Sequence, residues 1–147
     1  ESEPAVVILG CHHAREWISV EVPLLYARHL LESYALDPEA RGLVDGSEIW
    51  VVPLLNPDGL EYSIGTYRYW RKNRRDNGDG SFGVDLNRNY GLAWGLDEAG
   101  SSSDPDSSVF RGRAVFFSIL SDFQGANLQL ITGFLPDLFC TFAFNKY

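Results

Sequence analysis

Histidine is scarce in this 147-residue chain, and His12, His13 and His29 are all it has. Any chemistry that needs imidazole must be built from those three. Cysteine is scarcer still. Cys11 and Cys140 stand far apart and form no CxxC pattern, which excludes a cysteine-based zinc ribbon or knuckle. They read as ordinary small apolar residues, although an oxidising compartment would allow them to pair. Positive charge is also short, with 12 Lys and Arg against 20 Asp and Glu and a net charge of −8. That balance speaks against nucleic acid or an anionic membrane as a partner, because both call for a cationic footprint. No apolar run reaches the length of a membrane span, and no signal peptide, lipidation motif or internal repeat is visible. The opening ESEPAVVILG carries a charged lead straight into a strand-like stretch. It leads us to expect a piece of a longer chain, so a missing signal says nothing about compartment.

What is present is globular. A hydrophobic content of 45% with 14% aromatics supports one domain with a proper core. Val6–Leu9 is a short β-branched run that predicts a buried strand ending at Gly10. From about Ser19 to Tyr34, Val20, Val22, Leu24, Leu25, Ala27, Leu30 and Leu31 fall at helical spacing, as in an amphipathic helix packed on a sheet. A shorter helix is expected over Asp37–Val44, and a second buried strand over Glu48–Leu55, demoted at its end by Pro53. Asn56-Pro57-Asp58-Gly59 is a turn signal. Residues 67–90 read as loop, and DNGDGSFGVD within them reads as a turn, because the acidic spacing of an EF-hand is not met. Ser101–Ser108 is a polar loop. Beyond Arg113 the character changes. Residues 114–147 hold no His and no Glu, and only Asp122, Asp137 and Lys146 carry charge. FFSIL, LQLITGFL and FCTFAF in that tail are apolar runs suited to strands or a buried helix.

The stretch GCHHAREW (residues 10–17) concentrates the chemistry. A catalytic zinc takes imidazole and carboxylate ligands, three from protein and one from water. His13 and Glu16 stand three apart, so one helical turn would project them to the same side. His12 stands four from Glu16, and spacing alone does not separate the two histidines. Four tracts follow one another along the chain: GCHHAREWISVEVP, NPDG, YWRKNRR and GVDLNRNY.

In that combination the sequence resembles the zinc metallocarboxypeptidases of the carboxypeptidase A type, especially bacterial members, from about Val6 to Arg113. The resemblance implies an α/β fold, a partial metallocarboxypeptidase-like three-layer arrangement with a mixed, mostly parallel sheet flanked by helices. It divides the chain into a partial zinc-carboxypeptidase domain at 1–113 and a divergent apolar tail at 114–147, expected to pack on the same domain. Within His13-Ala14-Arg15-Glu16-Trp17 it makes His13 and Glu16 the zinc ligands, with His12 a neighbour. Arg71 matches the catalytic arginine that polarises the scissile carbonyl, a role that calls for a fixed donor in a dry site. Asn87 and Arg88 match the pair that grips the substrate's terminal carboxylate, for which a guanidinium is well shaped. Arg15 resembles an accessory substrate-binding arginine. The implied cofactor is zinc, the implied partner the C-terminus of a peptide or protein, and the implied setting extracellular.

The chain also departs from that pattern. The family's third zinc ligand is a later histidine, and residues 128–135, where it is expected, contain none. Nothing matches the glutamate that activates the zinc-bound water. The expected product is therefore an incomplete peptidase, weakly active or inactive, with sheet edges open to self-association. Alternatives are a non-catalytic module that binds peptide carboxylates, a zinc amidohydrolase sharing the H-x-x-E pair, and a fragment with no function of its own.

Overall fold

A computed structural model describes residues 4–115, 126–131 and 140–146. Contacts within it gather into two units. One holds the chain up to Gly10, Ile18–Leu55 and the two C-terminal strands. The other holds Cys11–Trp17 and the described residues from Asn56 to Val115.

The first unit is the α/β part. Strand β1 (Ala5–Leu9) sits centrally, pairing in parallel with β2 (Glu48–Val52) and antiparallel with β4 (Cys140–Lys146). Strand β3 (Ala126–Ile131) adds antiparallel to β4, so the order is β2-β1-β4-β3 and the sheet is mixed. As a central strand, β1 has both backbone edges paired, and its sequence AVVIL is wholly apolar. Ala5, Val7 and Leu9 are buried in alternation. Strand β2 corrects the expected buried strand over Glu48–Leu55: it ends at Val52, because Pro53 has no N–H to give the ladder, and none of its residues is fully buried. The β1 end is extended by Gly10, whose N–H donates to Val52 O at 2.8 Å and whose carbonyl accepts from Leu55 N at 3.0 Å.

Helix α1 (Ile18–Ser33) and helix α2 (Pro38–Asp45) pack on each other, and α1 also meets β2. Asp37 caps α2 by accepting from Glu39 N at 2.9 Å, with Pro38 at the first helical position. The face that α1 buries is narrower than its apolar spacing led us to expect. Ser19, Pro23 and Leu30 are buried, whereas Leu24, Leu25 and Leu31 are 48%, 58% and 76% exposed. Apolar spacing marks a face able to pack, and the described residues cover only part of it. His29 lies on this helix beside Ser33, its Nδ1 3.3 Å from the hydroxyl.

The second unit has little regular structure and much side-chain to backbone bonding. One correction to the turn expected at Asn56–Gly59 is needed, since those residues open helix α3 (Pro57–Gly65). Asn56 is the N-cap, accepting from Gly59 N at 3.1 Å, and Pro57 fills the first position. The same residues that punctuate a turn also start a helix, and the apolar residues after them decide between the two. The loop at 76–85 is a turn as expected. Asp76 and Asp79 accept from Gly78 N and Ser81 N at 2.8 and 2.9 Å, and Gly78 and Gly80 take φ of 77° and 89°. Cys11, Ala14, Val84, Leu86 and Phe110 form this unit's small apolar core. The run FFSIL and the second half of LQLITGFL, residues 132–135, lie outside the described residues.

Candidate active site

Every residue singled out for chemistry belongs to the second unit. The segment Cys11–Trp17 is held by its backbone: Ala14 N donates to Arg71 O and Glu16 N to His13 O, each at 3.0 Å. Cys11 sits at φ 56°, a left-handed conformation uncommon for a residue with a Cβ.

The two histidines face different partners. His13 Nδ1 lies 2.9 and 3.0 Å from the two carboxylate oxygens of Glu16, and its Nε2 lies 3.2 Å from Asp85 Oδ1. His12 Nε2 instead meets the Tyr90 hydroxyl at 2.5 Å. Burial is the main reason the His12 pKa is pushed down to about 4, with the neighbouring His13 adding to it, so His12 is a neutral imidazole. Burial also acts to lower His13, but the hydrogen bonds to Asp85 and Glu16 outweigh it and raise the ring above its ordinary value.

Asp85 is the residue the motif reading left without a role. Its side chain has no exposed surface. Oδ1 faces His13 and accepts from Asn87 N at 3.0 Å, while Oδ2 accepts from Arg71 Nε at 3.0 Å. Burial by itself would raise this carboxyl, yet the His13 hydrogen bond and the Arg71 charge hold it below the usual carboxylate value. A ligating histidine normally gives its other nitrogen to a carboxylate, which sets the tautomer and the ring plane. The signal for Asp85 was available in the sequence as the acid heading DLNRN. Its target, 72 residues earlier in the chain, was not.

Arg71 is buried, with a second, longer approach of 3.9 Å to Glu16. It is neither a surface arginine nor an apolar-stem filler. Arg71 and Arg15 line one cavity of about 650 Å³. Asn87 and Arg88, on a single 3₁₀ turn at Leu86–Arg88, line another of about 310 Å³. Arg88 donates from Nε to Gly100 O at 2.6 Å and from a terminal nitrogen to Asn87 O at 3.2 Å. Asn89 is structural, its amide nitrogen reaching Arg111 O at 2.5 Å and Ala114 O at 2.9 Å. Trp17 is 38% exposed and donates to Ser63 Oγ at 3.1 Å, so it is not a core aromatic.

His13 and Glu16 are the donors that suit zinc, nitrogen and carboxylate oxygen with Asp85 behind the ring. No group of three or more His, Cys, Asp or Glu suited to a metal occurs among the described residues. The pair therefore fits a zinc ion in kind but not in number.

A buried histidine with a carboxylate at each ring nitrogen, and a buried arginine beside it, is a set of groups compatible with metal-assisted hydrolysis. Known proteins resemble this sequence. The family model for zinc carboxypeptidase matches residues 1–121, and the chain belongs to that family. It is 45% identical over 97 residues to a zinc carboxypeptidase of Saccharothrix mutabilis subsp. capreolus, covering 65% of this chain and 22% of that protein. It is 43% identical over 112 residues to metallocarboxypeptidase A of Arthroderma otae, covering 76% and 26%. Among solved structures, carboxypeptidase A from Helicoverpa armigera superposes with a TM-score of 0.68 at 35% identity, covering 84% of this chain and 30% of that one. Thrombin-activatable fibrinolysis inhibitor gives a TM-score of 0.73 at 29% identity, covering 84% and 32%. The chain thus spans about a quarter of the length of the curated relatives it matches.

Proposed function

We propose that residues 1–113 are part of a zinc metallocarboxypeptidase that releases C-terminal amino acids from peptides outside the cell, and that 114–147 is a divergent tail. The observation that carries this reading is His13 set between Glu16 and buried Asp85, with Arg71 on the other oxygen of Asp85. His13 and Glu16 are the zinc ligands in it, and zinc when bound would supply Lewis acidity. Two protein ligands are one short of a catalytic set, and we expect this chain to be weakly active or inactive.

The remaining roles follow from charge and position. Arg71, its orientation set by Asp85, is a pre-aimed donor for the oxyanion that grows on a scissile carbonyl, and such donors act most strongly away from water. Asn87 and Arg88 hold the terminal carboxylate through amide and guanidinium N–H groups, which makes the reading an exopeptidase. Arg15 assists substrate binding.

Calorimetric zinc titration tests the ligand assignment. Weak binding is expected in the parent chain, retained in His12→Ala and abolished in His13→Ala. Loss confined to the His12 variant would reverse the assignment. Zinc-dependent release of the C-terminal residue from a blocked dipeptide, at a rate typical of enzymes, would refute the incompleteness.

The cavity at Asn87 and Arg88 also supports a second reading, a non-catalytic module for peptide carboxylates. It requires zinc-independent binding of peptides with a free C-terminus, weakened by Arg88→Ala.

A further inference from the structure

We propose that the cavity beside Arg71 binds an acidic segment of a peptide through Arg15 and Arg74. A chain of net charge −8 gathers four cations around this hollow, Arg15, Arg71, Lys72 and Arg74, against one carboxylate, Asp106. Two of the four are committed. Arg71 gives its Nε to Asp85 at 3.0 Å, and Lys72 gives its Nζ to Pro105 O at 2.6 Å.

Arg15 and Arg74 differ. Neither guanidinium has a carboxylate or carbonyl acceptor among the described residues, and their hydrogen bonds run through the main chain, from Arg68 to Arg15 O and from Arg74 N to Asp58. Elsewhere in the same unit, by contrast, Arg111 pairs with Glu98 and Arg113 with Asp79. Arg74 is held among rings, its guanidinium carbon 3.8, 4.6 and 4.7 Å from the centroids of Tyr62, Phe82 and Trp70. Its backbone N–H is anchored on Asp58 at 2.8 Å. Ring contacts engage the face of a guanidinium and leave its N–H edge for an acceptor. A cation oriented in advance loses little further side-chain freedom when a carboxylate arrives.

The ligand class follows from shape and charge. A carboxylate matches the guanidinium fork, and a hollow of about 650 Å³ takes a few residues of peptide. The aromatic walls suit the apolar parts of a backbone segment better than a small hydrated anion. Arg71 lines the same hollow. On the reading that Arg71 faces the scissile carbonyl, the bound acids lie on the N-terminal side of the cleaved bond.

The test uses calorimetry with a tetrapeptide acetylated at its N-terminus and amidated at its C-terminus, bearing two central glutamates, against the same peptide with glutamines. Neither carries a terminal carboxylate, so the outcome is independent of the clamp assigned to Asn87 and Arg88. The glutamate peptide is expected to bind about tenfold tighter, the value of one charge-assisted hydrogen bond. That preference should shrink in salt, fall in Arg15→Gln and Arg74→Gln, and persist in Arg28→Gln on α1. If loss of ring packing unfolds the Arg74 variant, as circular dichroism would reveal, Arg15→Gln carries the test. Equal affinity for the two peptides overturns the proposal, as does a glutamate preference that survives in the Arg15 variant. Free glutarate binding as tightly as the peptide would overturn the assignment to a peptide.

Discussion

Arg71 donates from Nε to Asp85 Oδ2 at 3.0 Å, and the two side chains are 8% and 0% exposed. A charge pair this deep is held by mutual need, since removing one partner strands the other in a poor solvent. Asp85→Asn keeps the shape and removes the charge. We expect it to lower unfolding free energy by about 3 kcal/mol in urea titrations, and to weaken zinc binding by roughly tenfold or more through loss of the His13 backing. A loss under about 1 kcal/mol, the scale of an exposed pair, would mean that Arg71 and His13 find other partners.

Asn56 is fully buried and does three jobs. It caps α3 through Oδ1, and its amide nitrogen donates to His12 O at 3.0 Å and Lys72 O at 3.3 Å. Asn56→Asp preserves the cap and replaces the donor with an oxygen facing two carbonyls. The expected cost is about 2–3 kcal/mol, beyond the ~1 kcal/mol of losing a cap outright. A denaturation midpoint equal to the parent's would show that the amide nitrogen contributes nothing.

Gly83 has φ 85°, and an added Cβ would meet Asn73 O and Lys72 Cβ. Gly78 has φ 77° and open space around it. Gly78→Ala should cost about 1–2 kcal/mol for the left-handed backbone alone. Gly83→Ala should cost distinctly more, because collision is added to strain. Similar losses in thermal melts of the two variants would remove the collision from the account.

Glu98 is exposed, and the hydrogen bond from Arg111, with a second from Ser103 N, holds its pKa below the ordinary 4.5. Its folded value is depressed, so the stabilisation is present above the unfolded value and is lost as pH falls through the folded one. NMR titration of the Glu98 carboxyl should show the low value in the parent chain and its return toward 4.5 in Arg111→Gln. Identical titration curves would mean that solvent screening erases the pair.

Much of this was legible from residue order. The strand β1, the helices α1 and α2 and the start of β2 follow from local rules, β-branched runs and apolar spacing, whereas β2 was drawn three residues too long and too buried. Helix α3 was hidden because Asn-Pro-Asp-Gly signals turn and helix start alike. The buried face of α1 was overestimated because spacing reports only which residues are able to pack.

The histidine choice marks the boundary between the two kinds of information. Spacing put both His12 and His13 within reach of Glu16, and motif likeness preferred His13. In the folded chain His13 turns to Glu16 and Asp85 while His12 turns to Tyr90. Asp85 and Tyr90 lie more than seventy residues away along the chain, and no local pattern encodes such a meeting. Residue types and order carry the ligand chemistry and the short elements, because those depend on neighbours within a few positions. Which imidazole faces which carboxylate, and which arginines are left with rings in place of acids, depends on burial. Burial exists only once distant segments share one interior.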